Sequence, residues 1–550
     1  MRTYDIKFKI NELSCNTNIY ELITKKLVNE NKNSSDKQIR NSIKALQDGL
    51  QRIYILNKSI DARHKPNLVI NYKIAICTRE EYDKYISDQI KESLPHYLFS
   101  QDLVRANKER PVIVGFGPAG MFAALVLSLY GLKPIVIERG SKVEDRIKHV
   151  AKYHASGILN ESSNIQFGEG GAGTFSDGKL FTGVRSKHKA FIFNTFVENG
   201  ASEEILYDSH PHIGTDVLVD VVRGIRNKII SLGGEVRFDT KFESFTLIDN
   251  KISSVTVSDL SQTYEIKTNS LILAIGNASR DTFRYLHKEG VHMESKPFAI
   301  GVRIEHLRKD IDFAQYGVYT DSYNELGAAS YKLAVDTDNG SKLYTFCMCP
   351  GGEVVASSSE ANHVVTNGMS NSRRDGMNSN SALLVPVSSE VFGDGVLSGI
   401  EYQERIENLA YELGGSNGYA PFCYYRDLTS KANADYSSDR IIPSYRPGVR
   451  RANLSDLYDE NMVETITNGI SKMGRRIKGF DADDAIITFP ETRTSSPVRI
   501  VRDRDSYEST NIKGLFPCGE GAGYAGGITS SAIDGVNTAN MLYNYLANNK

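Results

Sequence analysis

The sequence predicts an α/β protein in three parts: a discontinuous, doubly wound domain, an inserted mixed α+β domain, and a small N-terminal α+β domain. Three observations predict it. Val112-Ile-Val-Gly115-Phe-Gly117-Pro118-Ala119-Gly120 reads as a strand, a Gly-rich turn and a helix start. Beyond it, short apolar strands ending in Gly alternate with helices, the pattern of βαβ units. The block 514–543 returns to that pattern after strand-and-loop patterning from about 290 to 490. The parts are then 1–105, 106–288, 289–490 and 491–550, the second and fourth forming one domain.

Composition narrows the class. The 550 residues carry 65 Lys+Arg against 67 Asp+Glu, a formal charge of −2, with 40% hydrophobic and 24% charged residues. These values exclude a wholly disordered chain and argue against a protein built to hold nucleic acid or an anionic membrane. Residues 1–105 hold 18 basic and 13 acidic side chains, a net of +5, which marks them as a separate module. Six cysteines make no disulfide framework, and the start MRTYDIKFKI lacks the apolar core of a signal peptide. Met121–Leu129, the most apolar run, is nine residues and too short to span a bilayer. A cytoplasmic location is expected.

The N-terminal elements follow from periodicity. Residues 3–10 alternate as a strand, 19–29 have helical spacing, and 36–48 read as a helix behind an acidic cap. Residues 52–60 and 67–77 are two further strands. Lys108–Pro111 then leads into the Gly-rich turn. There Gly115 permits the tight exit from the strand, and Gly117 lets a pyrophosphate approach the helix N-terminus. Gly120 and Ala124 allow close packing of that helix on the sheet, with Pro118 and Ala119 in its first turn. Glu138, followed by Arg139, ends the next strand, where a carboxylate accepts hydrogen bonds from ribose hydroxyls. Strand, helix, second strand and terminal Glu in register point to a dinucleotide site.

The remaining motifs choose between dinucleotides. Gly514-Leu-Phe-Pro-Cys518-Gly519-Glu520-Gly521-Ala-Gly523-Tyr-Ala-Gly526-Gly527-Ile528 resembles the second FAD motif of glutathione-reductase-like flavoproteins. The resemblance implies that the acidic residue binds the ribityl or phosphate region and that the next helix N-terminus faces the flavin. Glu520 stands where that motif usually has Asp. Leu271–Gly276, with Ala274 and Gly276, resembles the intermediate strand of the same proteins, Ile275 replacing Thr. Gly234–Phe238 through Phe242 resembles the segment that pairs with adenine. In Gly168–Lys179, residues Gly171, Gly173 and Thr174 suit a backbone lying against a flat ring, or a plain surface loop. With no tryptophan in the chain, aromatic stacking falls to Tyr, Phe or His.

Together these segments, with Lys58–Arg63, resemble a bacterial family of uncharacterised FAD-utilizing dehydrogenases over essentially the whole chain. The resemblance implies a Rossmann-like FAD-binding domain and FAD as cofactor. It is silent on the substrate.

Candidate chemistry is sparser, because hydride transfer to a flavin asks the protein mainly to position a substrate. Cys347 and Cys349 fall on one face of an alternating strand that runs into Pro350-Gly351-Gly352. They are candidates for redox or nucleophilic work, or else buried small hydrophobes. Arg493 and Arg499 are candidates to clamp an anion, with Arg446, Arg450 and Arg451 weaker ones. Arg146 either reaches the pyrophosphate or is a solvated helix residue. His210-Pro-His212 has no ligands to complete a set, so no metal is expected.

The function expected is an FAD-dependent oxidoreductase, dehydrogenase or reductase, acting on a small organic molecule. Only one GxGxxG stands between a strand and a helix with a second strand and terminal Glu in register, so electrons come from the substrate, from transiently docked NAD(P)H, or from a protein partner. A flavin-dependent RNA-modifying enzyme, supported only by the +5 module, and a non-catalytic flavin scaffold are the alternatives.

Overall fold

The computed structural model describes residues 2–14, 18–31, 35–95, 109–323, 325–429 and 440–548. The junction expected near residue 105, and Lys108 with it, lie outside these. In the N-terminal module, Val69–Cys77 lies between Arg2–Lys9 and Arg52–Asp61 in an antiparallel sheet. Helices Ile19–Glu30 and Lys37–Gln47 stand where the periodicity places them, capped by Asn18 and Asp36. A third helix, Arg79–Lys91, was not legible as an apolar stripe, since none of its residues is buried. Its signal is the Thr78–Glu81 capping box. The module is tied to the rest of the chain by Lys58, whose N–H donates to the Tyr207 carbonyl at 2.7 Å. The Lys58 ammonium also meets Glu325 at 2.7 Å.

The central layer is a parallel sheet of five strands in the order Leu515–Pro517, Leu271–Leu273, Val112–Val114, Ile135–Ile137, Glu235–Arg237. Four of these are apolar and buried throughout, as a sheet covered on both faces requires. Its first strand in that order comes from the chain's far end, so the sheet closes only when residues 515–517 return. Helix Pro118–Leu129 packs under the sheet against Ile528–Asn548. Their approach is close: a Cβ on Gly535 would lie 2.1 Å from the Ala119 carbonyl oxygen.

Residues 298–491 form a second, seven-stranded sheet, its centre Asn378–Val387, Phe298–Leu307 and Ile486–Glu491. Phe298–Leu307 is buried almost from end to end, although it carries Arg303, Glu305 and His306. Each has a partner: Glu491 for Arg303, Ser444 and Asn378 for Glu305, the Phe480 carbonyl for His306. The Gly/Ser/Asn-rich stretch 356–381 contributes strand Thr366–Met369 and the start of Asn378–Val387. Polar composition hid that start, because Ser379, Asn380 and Ser381 are buried.

The turn at Gly115 leaves no room for a side chain on the helix that follows it. A Cβ on Gly120 would sit 2.0 Å from the Gly115 carbonyl oxygen. Gly120→Ala is therefore expected to lower stability by about 2–4 kcal/mol, measured as a shift of the urea midpoint followed by circular dichroism.

Candidate functional site

A single cavity of about 370 Å³ runs from the Gly115–Gly120 turn to the edge of the seven-stranded sheet. At its first end, Gly115, Gly117, Pro118 and Ala119 line the wall. Gly117 is the N-cap of helix Pro118–Leu129 and has no side chain to satisfy the first N–H groups. That leaves donors and the positive end of the helix dipole facing the cavity, an arrangement that favours an anion. Glu138 is buried beside it and accepts from the N–H groups of Phe116, Gly140 and Gly168 at 2.8–2.9 Å. Arg139 also lines the cavity, its charge balanced by Asp281 at 2.8 Å and its plane over the Phe167 ring.

The cavity continues past Phe242, Ala274 and Gly276 on one side, and past Gly526, Gly527 and Ile528 on the other. Added Cβ atoms test what the glycines leave room for. At Gly276 and Gly526 a Cβ would meet nothing within 4 Å, and at Gly117 only the Gly171 Cα at 3.7 Å. These glycines line the cavity without filling it, so the space beside them is open. Glu520 projects into the same space and accepts from the Asn277 amide at 2.9 Å. Burial pushes its carboxyl up to about 7, the Lys296 ammonium acting in the opposite direction.

The Gly-rich loop corrects two expectations. Gly171 and Gly173 line the cavity, but Thr174 turns away and donates to the Glu169 carbonyl. Arg146 is not on a path to the pyrophosphate, nor is it solvated. It is fully buried, donating to the carbonyls of Asn164, Ile165, Glu169 and Gly171 at 2.5–2.9 Å. Burial lowers its guanidinium to about 10, still charged at neutral pH. Arg146 thus shapes the loop from behind. Gly120 and Gly519 also stand behind the wall, Gly519 donating its N–H to Asp534 at 2.7 Å.

The far end is walled by the inserted domain. Cys347 and Cys349 both line it, but not as alternate residues of a regular strand. The pairing of Lys342–Cys349 slips between Phe346 and Cys349, and Cys347 has φ of +40°. Such a bulge re-aims a side chain, and here it exposes Cys347 to the cavity while Cys349 stays buried. Both thiols are free. Their depth in the molecule pushes both up, Cys347 to about 12, against the pull of Lys179. This upward shift favours the protonated, less nucleophilic form of both thiols. Behind them, buried Arg303 donates to both oxygens of Glu491, to Asn380 and to the Cys347 carbonyl.

Arg493 lines the cavity too, yet its guanidinium is not free to clamp a substrate. It is committed to Glu407 at 2.7 Å, to Glu360 at 3.1 Å and to the Ser359 hydroxyl. Arg280 binds the same two carboxylates at 2.8 and 2.6 Å. Burial alone would raise Glu407, but the two guanidinium groups hold it well below the usual carboxylate range. His363 lies within reach of both carboxylates, a grouping a metal ion could use were the arginines not already there. Arg499 stacks over Tyr524, and Arg451 pairs with Asp427. His210 stacks on Phe181 and His212 bonds the Ser372 carbonyl, which gives the His-Pro-His segment structural partners.

Sequence reasoning missed Asn277, Asn367, Lys179 and Glu491 as lining residues, and Arg303 and Asp534 as supports. Asn277 could have been found as the residue after Gly276. The rest meet only through tertiary contacts.

A family model described as "FAD-dependent protein, C-terminal domain-like" matches residues 297–494. A protein of Clostridium beijerinckii described as uncharacterized is 44% identical over 517 residues, covering 92% of this chain and 95% of its own. Among solved structures, the flavin-dependent brominase Bmp2 is 10% identical with a TM-score of 0.38, covering 80% of this chain and 79% of that one. The halogenase PltM with phloroglucinol and FAD is 11% identical with a TM-score of 0.36, covering 81% and 71%. A geranylgeranyl bacteriochlorophyll reductase-like protein of Thermoplasma acidophilum is 11% identical with a TM-score of 0.36, covering 80% and 79%.

Because a Gly117 Cβ meets only the Gly171 Cα, at van der Waals distance, Gly117→Ala is expected to keep the unfolding free energy from urea titration within about 1 kcal/mol. The variant should lose most of its bound flavin, read as the ratio of visible to ultraviolet absorbance after gel filtration. Glu520 supplies a pH dependence. Its native carboxyl keeps a proton between about 4.5 and 7 that the unfolded chain releases, so stability of the cofactor-free protein falls as pH rises through that window. In Glu520→Gln, urea titrations from pH 5 to 8 should show a smaller fall.

Proposed function

Since the chain belongs to a family of FAD-dependent proteins, we propose that it is an FAD-dependent oxidoreductase moving hydride between the flavin and a small organic substrate. The observation that carries this reading is the continuity of the cavity, which the glycine turn and the inserted domain's thiol strand line together. The helix N-terminus at Gly117 and the carboxylate of Glu138 are the groups that would hold the pyrophosphate and ribose. Gly526, Gly527 and Glu520 border the place left for the remainder. FAD, when bound, supplies a ring that accepts or returns two electrons as hydride.

The protein's own part is positioning and exclusion. Phe346, the Cys347 thiol and the Asn367 amide face the cavity from the inserted domain, so that domain supplies the substrate's side. Glu520 is suited to hold or release a proton near pH 7, because its carboxyl lies close to half-ionised there. Among the described residues, Gly115–Gly120 is the GxGxxG turn whose helix leads to a second parallel strand ending at Glu138. Electrons therefore arrive from the substrate, from NAD(P)H docking for the time of transfer, or from a protein partner.

Anaerobic titration of the purified holoprotein with NADH, NADPH and a panel of small metabolites tests the reading. Bleaching of the flavin band near 450 nm by at least one donor is expected, and flavin that no donor reduces would favour a scaffold. Cys347→Ser and Cys349→Ser are expected to change the bleaching rate less than about fivefold, as for thiols that stay protonated.

A further inference from the structure

The inserted-domain end of the cavity holds one cation without an adequate partner. Among the described lining residues the cations are Arg139, Lys179 and Arg493. Arg139 is paired with Asp281, and Arg493 with Glu407 and Glu360. Lys179 meets only Asp177, at 3.9 Å, and Asp177 is already held by both arms of Arg374. Of the other carboxylates on the wall, Glu491 is neutralised by Arg303, Glu138 accepts three backbone N–H groups, and Glu520 accepts from the Asn277 amide. With Asp177 and Glu491 each matched by an arginine, Lys179 leaves this end with a surplus of one positive charge.

The backbone at Lys179 is fixed and its side chain is not. Residue 179 bridges His212 in an isolated antiparallel contact, and the next N–H donates to the Pro211 carbonyl. The side chain is 34% exposed and makes no hydrogen bond among the described residues. Its charge is felt by Cys347 and Cys349, which places it at the thiol wall. Two further neighbours describe what it faces. Phe181 is 63% exposed at the cavity, and Phe346 is half-buried beside Cys347. Asn367 has its oxygen occupied by the N–H of Gly368 and by Arg303, so its amide donor is what remains.

We infer that this end of the cavity binds an organic anion with an apolar body, its carboxylate on Lys179 and its body against Phe181 and Phe346. The inference rests on the oxidoreductase reading and names the class of substrate that reading leaves open. A compact ammonium on a flexible stem suits a carboxylate whose position shifts between substrates. A surplus positive charge also selects against neutral analogues, for which Lys179 would stay unpaired.

The test uses the FAD-loaded full-length protein with benzoate and butyrate as probes, and benzamide and butyramide as their uncharged counterparts, at constant low chloride. Binding is followed both by perturbation of the flavin band and by calorimetry. Saturable binding of a carboxylate is expected, about tenfold or more tighter than that of its amide. Lys179→Met should weaken it by about tenfold or more, Lys179→Arg should keep it within about threefold, and FAD content should be unchanged in both. Carboxylate affinity that is the same in Lys179→Met, or no carboxylate binding by either method, overturns the inference. So does a variant that loses FAD or shifts its reduction potential while holding benzoate normally, since the charge would then serve the cofactor. Failure of the oxidoreductase reading has a different signature: bound FAD that no donor reduces, whatever the result with benzoate.

Discussion

The contact of Glu407 with Arg280 and Arg493 is the constraint on which the cavity depends. Arg280 opens the helix that follows strand Leu271–Leu273, Glu407 lies on the inserted helix Ser398–Gly414, and Arg493 follows strand Ile486–Glu491. Three segments far apart in sequence therefore meet on one carboxylate. Such a group is stable only with its partners in place, and removing one strands a buried charge at a cost of about 3–5 kcal/mol. The geometry is correspondingly specific. Thr492 adds its hydroxyl to Glu407, and Gln403 reaches the Thr492 carbonyl. Asn277 then links this cluster to the cavity by donating to both the Arg493 carbonyl and Glu520.

The same principle organises the rest of the cavity wall. Arg146 holds four loop carbonyls, Arg303 holds Glu491 and the Cys347 carbonyl, and Arg502 holds Asp534, which in turn receives the Gly519 N–H. Arginine suits this work because a planar, always charged fork can satisfy several acceptors at once. Polar groups that a sequence reader assigns to substrates are here consumed in fixing backbone. What remains for a ligand is backbone N–H, open space over glycine, and the few side chains left with spare capacity.

That distribution explains what could be read in advance. The Gly115–Gly120 turn, Glu138 and the Gly526–Ile528 segment were legible because their chemistry lies in local backbone geometry, which glycine spacing encodes directly. The N-terminal strands and the first two helices were legible because their apolar periodicity is strong. Arg146, Thr174 and Arg493 were misread for one shared reason. Each sits near the site in sequence, but its side chain is claimed by another group: Arg146 and Arg493 by segments remote in sequence, Thr174 by the Glu169 carbonyl of its own loop. The thiols were half-read: their nearness to the cavity followed from chain order, while the bulge at Cys347 did not.

By itself, the sequence determined that this protein is an α/β chain with a strand, a glycine turn and a helix start, its sheet completed by residues 515–517. Those features follow from backbone sterics and apolar periodicity, which act over a few residues. Only the tertiary structure decided which charges are free. Arg139, Arg493 and Arg374 are neutralised by carboxylates from distant segments, and Lys179 is left with a long contact to an aspartate already taken. Charge balance in a cavity is a sum over every segment that reaches it, and no local stretch of sequence contains that sum.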